Sequence, residues 1–304
     1  RRAACAWRTR LPSSKTMYSR CLACWWNCTA KSQRRRTPQT NLTLPRLDLG
    51  AAALEVAKAG KVEFGHDRSH TVGASEIGLC AARISARKQG EKPDADHEDD
   101  PGFAVRGNLI EDQWAVPVLR AAARKAGADL IWAGQAEQTT IEWKKRYASC
   151  TPDGLFINVP RDWLAGLGVQ RCSTSVLSEI KSIDPRISAD RLPKAGHPDQ
   201  AHYGMGLIRA ATEHCPDFAL LTYWNCSKLT DKWALVIPYN DELFKKQLFR
   251  AKRIVNTPWK KLPKEGKLKG GKECKSCEFQ RACMGKRSAY SPDTRQPLKT
   301  IINL

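Results

Sequence analysis

The chain has 304 residues, 41% of them hydrophobic, enough for one large domain or two small ones with a true core. Its formal net charge is +20, and residues 1–50, with 11 Lys/Arg against one acid, supply half of it. A surface this basic points to a polyanionic partner, nucleic acid first. No apolar run approaches the ~18 residues that span a bilayer, so no membrane partner is expected. Nothing near the start reads as the apolar core of a secretory leader, and twelve cysteines without one fit a reducing, cytoplasmic setting where thiols stay free or bind metal.

Residues 1–50 stand apart. They open on Arg1, reach a first methionine at Met17, contain Arg34-Arg35-Arg36 and show little periodicity. The segment reads as a basic, disordered extension or a leader translated upstream of the true start. Its Cys21-x2-Cys24-x3-Cys28 has no fourth ligand at convincing spacing, Cys5 apart. Residues 51–290 read as the folded domain and 291–304 as a tail.

A helical piece and a turn are expected over 51–70. Ser75 is placed to cap a helix that runs to Gly90, a good C-terminal stop, and that carries Cys80 and Arg83. An acidic loop covers 91–102. The next helix is expected from Gly107 to about Ala126, with Pro117 kinking or splitting it. Glu111, Trp114 and Val118 fall at i, i+3 and i+7, so Glu111 shares the apolar face. A carboxylate there is costly unless paired or bound to a cation; the plainer reading is a glutamate at the edge of the stripe, reaching solvent.

Ala133–Trp143, Lys145–Ser149 and Leu155–Val159 read as an antiparallel meander. Thr151-Pro152-Asp153-Gly154 makes a turn into the last of these. Leu177 to Ile183 is a strand with period-2 alternation, so Glu179 and Lys181 point one way and Ile180 the other. If the two strands are neighbours, two carboxylates and one ammonium converge at one end of a sheet. Two carboxylates suit a hard cation such as Mg²⁺, and a lysine beside it can orient or deprotonate a water and offset phosphate charge. The plainer alternative is a surface turn beside an exposed strand pair.

Asp184-Pro185-Arg186 ends that strand. Pro198 and Asp199 start a helix on which Gln200, Tyr203 and Leu207 share a face. Phe218–Cys226 and Lys232–Tyr239 read as a hairpin, followed by a helix from Asp241 to about Val255. Residues 258–275 read as a flexible Lys- and Gly-rich linker, and from Lys260 onward 12 Lys/Arg stand against 4 acids, a run able to track a phosphate backbone. Cys274-x2-Cys277-x5-Cys283 places three thiols on a short polar stretch, good soft-metal ligands but one short of a tetrahedral or cubane set. Cys150, Cys172, Cys215 and Cys226 lie in apolar runs and read as inert core residues.

In order, Cys80, Glu111, Pro152-Asp153-Gly154, Glu179-x-Lys181, Gln200 with Tyr203, and the three late cysteines resemble the PD-(D/E)xK nuclease superfamily. Within it they are similar to the RecB-like exonucleases, including CRISPR-associated, helicase-linked and phage nucleases. The likeness spans residues 70–285. It implies an α/β fold: a restriction-endonuclease-like core, a mixed central β-sheet flanked by helices, with a cysteine-bearing helical cap. It also implies a DNA exonuclease in which Asp153 and Glu179 ligate Mg²⁺ or Mn²⁺ and Glu111 is a third acid. Lys181 would position the water or the scissile phosphate. The family's helical Gln-x-x-x-Tyr appears here as Gln200-x-x-Tyr203, one residue shorter, to orient substrate or the lysine. Arg83, Arg106 and Arg186 are candidate phosphate contacts. Some members bind a 4Fe-4S cluster with a fourth cysteine from an early helix. Cys80 occupies that place beside Cys274, Cys277 and Cys283, with zinc in the same cage as the alternative. The competing functional class is a catalytically inactive nucleic-acid-binding or recombination scaffold of the same fold. A zinc-finger-type binder built on the cysteine tail fits less well, since no second ligand pair follows Cys283.

Overall fold

The structure is a computed structural model and describes residues 55–56, 67–95, 97, 102–160, 162, 173–230, 232–268 and 272–285. The chain divides into Arg1–Leu49 and Gly50–Leu304, and every described residue belongs to the second unit. The basic segment 1–50 with its Cys-x2-Cys-x3-Cys, Cys172 and the tail 291–304 lie outside the described residues.

Five strands form the main sheet. They are β2 (Asp129–Ile131), β5 (Gly154–Ile157), β6 (Val176–Ile183), β7 (Phe218–Asn225) and β8 (Lys232–Pro238), in that spatial order. β6 and β7 run parallel and every other neighbour is antiparallel, so the sheet is mixed. A parallel pair needs a long crossover; it is made by the helix α4 (His197–Ala211). A smaller sheet holds β1 (Val72–Gly73), β4 (Ala148–Cys150) and β3 (Ile141–Trp143), in the order β1-β4-β3.

Alternation along the central strands sorts the core into two layers. Leu155 and Leu177 face one side, where Tyr203, Leu207 and Ile208 of α4 and Phe244 and Ile254 of α5 (Asp241–Asn256) cover them. Phe156, Val176 and Ile180 face the other, under α2 (Gly102–Ile110) and α3 (Val116–Lys125), which contribute Ile110, Val116, Leu119 and Ala123. Helices therefore lie on both faces of a mixed sheet, in a mixed α/β architecture. Central strands covered on both sides read as continuous apolar runs, which is what 218–223 shows. No helix among the described residues is long and apolar enough to cross a membrane.

Several expected elements differ. The first helix, α1, covers only Ala81–Lys88. Glu76 turns its carboxylate back to the Gly73 amide at 2.8 Å, and the Ile77 amide donates to the Gly73 carbonyl, so 73–77 closes as a turn before a helix can begin. Gly90 is the expected stop, at φ +69°. No meander forms: β3 and β4 make a hairpin in the small sheet, whereas β5 pairs with β2, a strand missed in the sequence. Its three residues follow directly on helix α3 and show no alternation of their own. The stretch after Pro258 is docked rather than free. Trp259 packs with Ala86 and Phe279, and short helices α6 (Glu265–Leu268), α7 (Lys272–Lys275) and α8 (Gln280–Met284) follow. Cys150 is buried as expected, but Cys215 is exposed and Cys226 only partly covered.

The two ends of the domain cap one another. Helix α1 has no side-chain cap of its own. The Cys80 amide donates to Glu273 Oε1 at 2.8 Å and the Ala81 amide to Glu265 Oε2 at 3.1 Å. In return Asp94 accepts from the Arg281 amide at 2.7 Å and the Ala282 amide at 3.2 Å at the start of α8. Orphan amides at a helix start need such partners.

A candidate carboxylate–lysine site and a cysteine cavity

Asp153 precedes the first residue of β5, and Gly154 pairs with Ser178 of β6. The turn is tied to β6 by the Ile180 amide, which donates to Asp153 Oδ2 at 2.8 Å. The space next to it is tight: a Cβ on Gly154 would stand 3.0 Å from Leu130 and 3.2 Å from Ala133. Glu179 and Lys181 share a strand face, as period 2 dictates. The ammonium of Lys181 is bonded to Glu179 Oε1 and lies 3.5 Å from Asp153 Oδ2.

Glu111 reaches this group from the helical layer. It opens a π-helical turn, Glu111–Ala115, between α2 and α3. The turn ends two residues before Pro117, which has no amide to donate. The Val116 amide bonds back to the Glu111 carbonyl, widening the helix where proline would otherwise break it. Helix α2 thus continues through the π-helical turn into α3 and is not split at Pro117. The Glu111 side chain accepts from Gln138 Nε2 at 3.1 Å.

Two acids contact the ammonium, and Glu111 is near enough for its charge to be felt there. Burial, then Asp153, pushes the Glu111 carboxyl up to about 8. The same two causes, opposed by Lys181, push Glu179 up to about 8. Burial on its own lowers an ammonium, but Asp153, Glu179 and Glu111 outweigh it and hold Lys181 above its ordinary range.

A second set of groups at this end was not anticipated. Tyr223 pairs with Lys181 across β6 and β7. Its hydroxyl accepts from the Lys194 amide at 3.2 Å and meets His197 Nδ1 at 3.0 Å, with the two rings stacked at 5.6 Å. Burial, then Lys181 and Lys194, lowers His197 to about 4. The β6–α4–β7 order places them there: a crossover helix begins beside the ends of the parallel strands it joins, where open α/β sheets place their ligands, but no local sequence pattern marks the pair.

The other singled-out residues are scattered. Gln200 sits half-buried in the first turn of α4. Tyr203 is fully buried in the core against Phe244, and its hydroxyl has no hydrogen-bond partner. Arg106 lies over the Phe103 ring at 5.2 Å and its charge is felt at Asp184, while Arg186, largely exposed, pairs with Asp184 at 2.8 Å. Arg83 belongs elsewhere: it bonds Glu278 at 2.8 Å and lines the cysteine cavity.

That cavity, about 30 Å³, is bordered by Cys80, Cys274, Cys277 and Cys283 together with Trp259 and Phe279. Burial raises the Cys274 thiol, and the nearby Cys80 and Cys283 add to it; burial takes Cys277 up to about 11. The chain therefore brings its early cysteine to the three late ones. As they stand, no three His, Cys, Asp or Glu side chains among the described residues are set to hold a metal ion, at either place.

No protein-family model matches the chain, and no curated protein matches it in sequence. Among solved structures it is similar to an alkaline exonuclease (LHK-Exo) from Laribacter hongkongensis, at 16% identity and a TM-score of 0.39, over 62% of this chain and 87% of that one.

Proposed function

We propose that the protein is a divalent-metal-dependent DNA nuclease of the PD-(D/E)xK type, hydrolysing phosphodiester bonds. The observation that carries this reading is the meeting of Asp153, Glu179, Lys181 and Glu111 at adjoining elements. The donor set fits Mg²⁺ or Mn²⁺: oxygen ligands only, and carboxyls whose crowding disfavours full ionisation until a cation joins them. Asp153 and Glu179 would hold the ion, with Glu111 as third acid. When bound, the metal supplies an activated water and offsets charge on the phosphate. Lys181, kept protonated by its carboxylate neighbours, donates hydrogen bonds to the water or the scissile phosphate and does not serve as a base in this arrangement. Gln200 would orient substrate from the start of α4. For Tyr203 an equivalent role would need its buried ring to turn outward. Arg106 and Arg186 would meet the phosphate backbone beside Asp184.

The cysteine cavity supports a second element of the same reading. Four thiols around one space are poor core material and suit a soft metal, a 4Fe-4S cluster or zinc. Its place would be structural, between α1 and the segment after Pro258. Protein purified without oxygen is expected to carry iron and a broad absorbance near ~400 nm, lost in Cys274→Ser. Colourless protein with stoichiometric zinc would replace the cluster by zinc, and metal-free protein would remove this element.

The test of the nuclease reading is a time course on end-labelled linear single- and double-stranded DNA with Mg²⁺, Mn²⁺ or EDTA. Wild type should degrade DNA only with metal, and Glu179→Ala and Lys181→Ala should each lose about a hundredfold or more in rate. Product ladders would separate exonuclease from endonuclease. DNA binding without cleavage, in protein that keeps its cysteine-bound metal, would establish the non-catalytic scaffold instead.

A further inference from the structure

One cleft lies apart from the carboxylate–lysine site and the cysteine cavity. It has a volume of about 710 Å³ and lies between the β3–β4 hairpin and the helices α4 and α5. Gly206 and Ala210, one turn apart on α4, line it. Five Lys/Arg line it against one carboxylate, Asp241, which is already paired with Lys245 at 2.8 Å. Lys145, Arg146 and Lys252 are exposed. Phe249 is 70% exposed beside them, an unusual place for a phenylalanine. Arg146 stands over the Trp143 ring at 5.5 Å, so cation and aromatic are held together on the cleft wall.

We propose that this cleft binds single-stranded nucleic acid, with phosphates running past Lys145, Arg146 and Lys252 and a base stacked on Phe249. Cations spread along a groove and interleaved with ring faces are the pattern that tracks a flexible strand. A small anion would instead call for cations converging on one point. A duplex keeps its bases stacked on one another and leaves Phe249 without a partner. The inference does not depend on cleavage at Asp153 and Glu179. It adds a holding surface for a strand, whether or not that strand is cut.

Binding of a fluorescein-labelled 20-nucleotide oligothymidylate, followed by anisotropy in EDTA at several salt concentrations, tests it. EDTA silences a divalent-metal-dependent nuclease, and binding is read without cleavage, so a failure of the nuclease reading leaves this result untouched. Lys145→Glu/Lys252→Glu is expected to weaken binding by at least about tenfold and to flatten the log–log salt slope by about 1.4, at ~0.7 for each phosphate no longer neutralised. Phe249→Ala, at an exposed position, should keep the wild-type circular-dichroism melt and lose about 5- to 150-fold in affinity. A bromouracil-substituted oligonucleotide should crosslink to the peptide containing Trp143 or Phe249. Variants that bind like wild type would overturn the proposal. So would a duplex that binds more tightly than the single strand and is indifferent to Phe249→Ala, or a wild type with no affinity for the strand.

Discussion

Lys181 shows how a single side chain balances opposing forces. Burial works against its charge, and three carboxylates restore it. The same crowding leaves Glu111 and Glu179 hard to ionise together. His197, next to this group, has no such compensation. An unfolded histidine takes a proton near 6.5, whereas the folded one refuses it until about 4. Folded-state stability from this residue is therefore complete above pH 6.5 and is lost as pH falls toward 4. His197→Gln should lose less stability than wild type between pH 7 and 4.5, read from urea midpoints. Equal losses would mean that His197 is not held neutral. Glu179 and Lys181 were legible from strand alternation alone, because residues two apart cannot avoid sharing a face. His197 and Tyr223 were not, since their meeting depends on a hydroxyl and an imidazole brought together by a crossover, and no local pattern marks it.

Elements repeat the lesson with backbone in place of side chains. Pro117 signalled an interrupted helix, and the π-helical turn just before it is how the interruption is absorbed. Sequence pattern alone does not distinguish a kink from a widened turn, because both answer the same missing amide. Helix α4 carries a stricter requirement. A Cβ on Gly206 would fall inside the Phe244 ring, so α4 and α5 approach as closely as they do only with glycine there. Gly206→Ala should destabilise by about 1–3 kcal/mol through overpacking, outweighing the ~1 kcal/mol that alanine gains in helix propensity. Gly204→Ala, whose added carbon would stand 3.2 Å from a Leu177 methyl, should be milder. Denaturation midpoints of the two, with Phe244→Leu as a relieving second change, would check the order; equal effects would refute the close-approach account. The missed strand β2 has a different cause. It is three residues long, and its partner β5 lies beyond an intervening hairpin, so pairing was decided by tertiary position rather than pattern.

Across the whole molecule, spacing marked Cys274, Cys277 and Cys283, the resemblance alone pointed to Cys80, and all four border one cavity. What spacing could not reveal is the ionic clamp around them. Glu278 is buried and bonds both Arg83 and Arg87 of α1. Removing it takes a carboxylate from both guanidiniums, at a cost below the ~3–5 kcal/mol of a fully buried pair, since Arg83 keeps Glu273 at 3.9 Å and the Ser276 carbonyl at 3.4 Å and the Arg87 side chain is 43% exposed. Glu278→Ala should therefore release residues 272–285 first, seen as faster amide exchange there than in the β6–β7 pair. Unchanged exchange would show that the clamp is not what holds the segment.

The capping of α1 has a consequence for the order in which the protein is made. Its first amides wait for acceptors 193 and 184 residues downstream. While a ribosome is still adding residues short of Glu265, the sheet can assemble, but the opening helix has neither its caps nor its ionic clamp. Completion of the helix thus waits on distant sequence and is not vectorial. Until then the half-made domain displays the beginning of α1 to chaperones and proteases, and a segment made long after the first helix is the one that closes it.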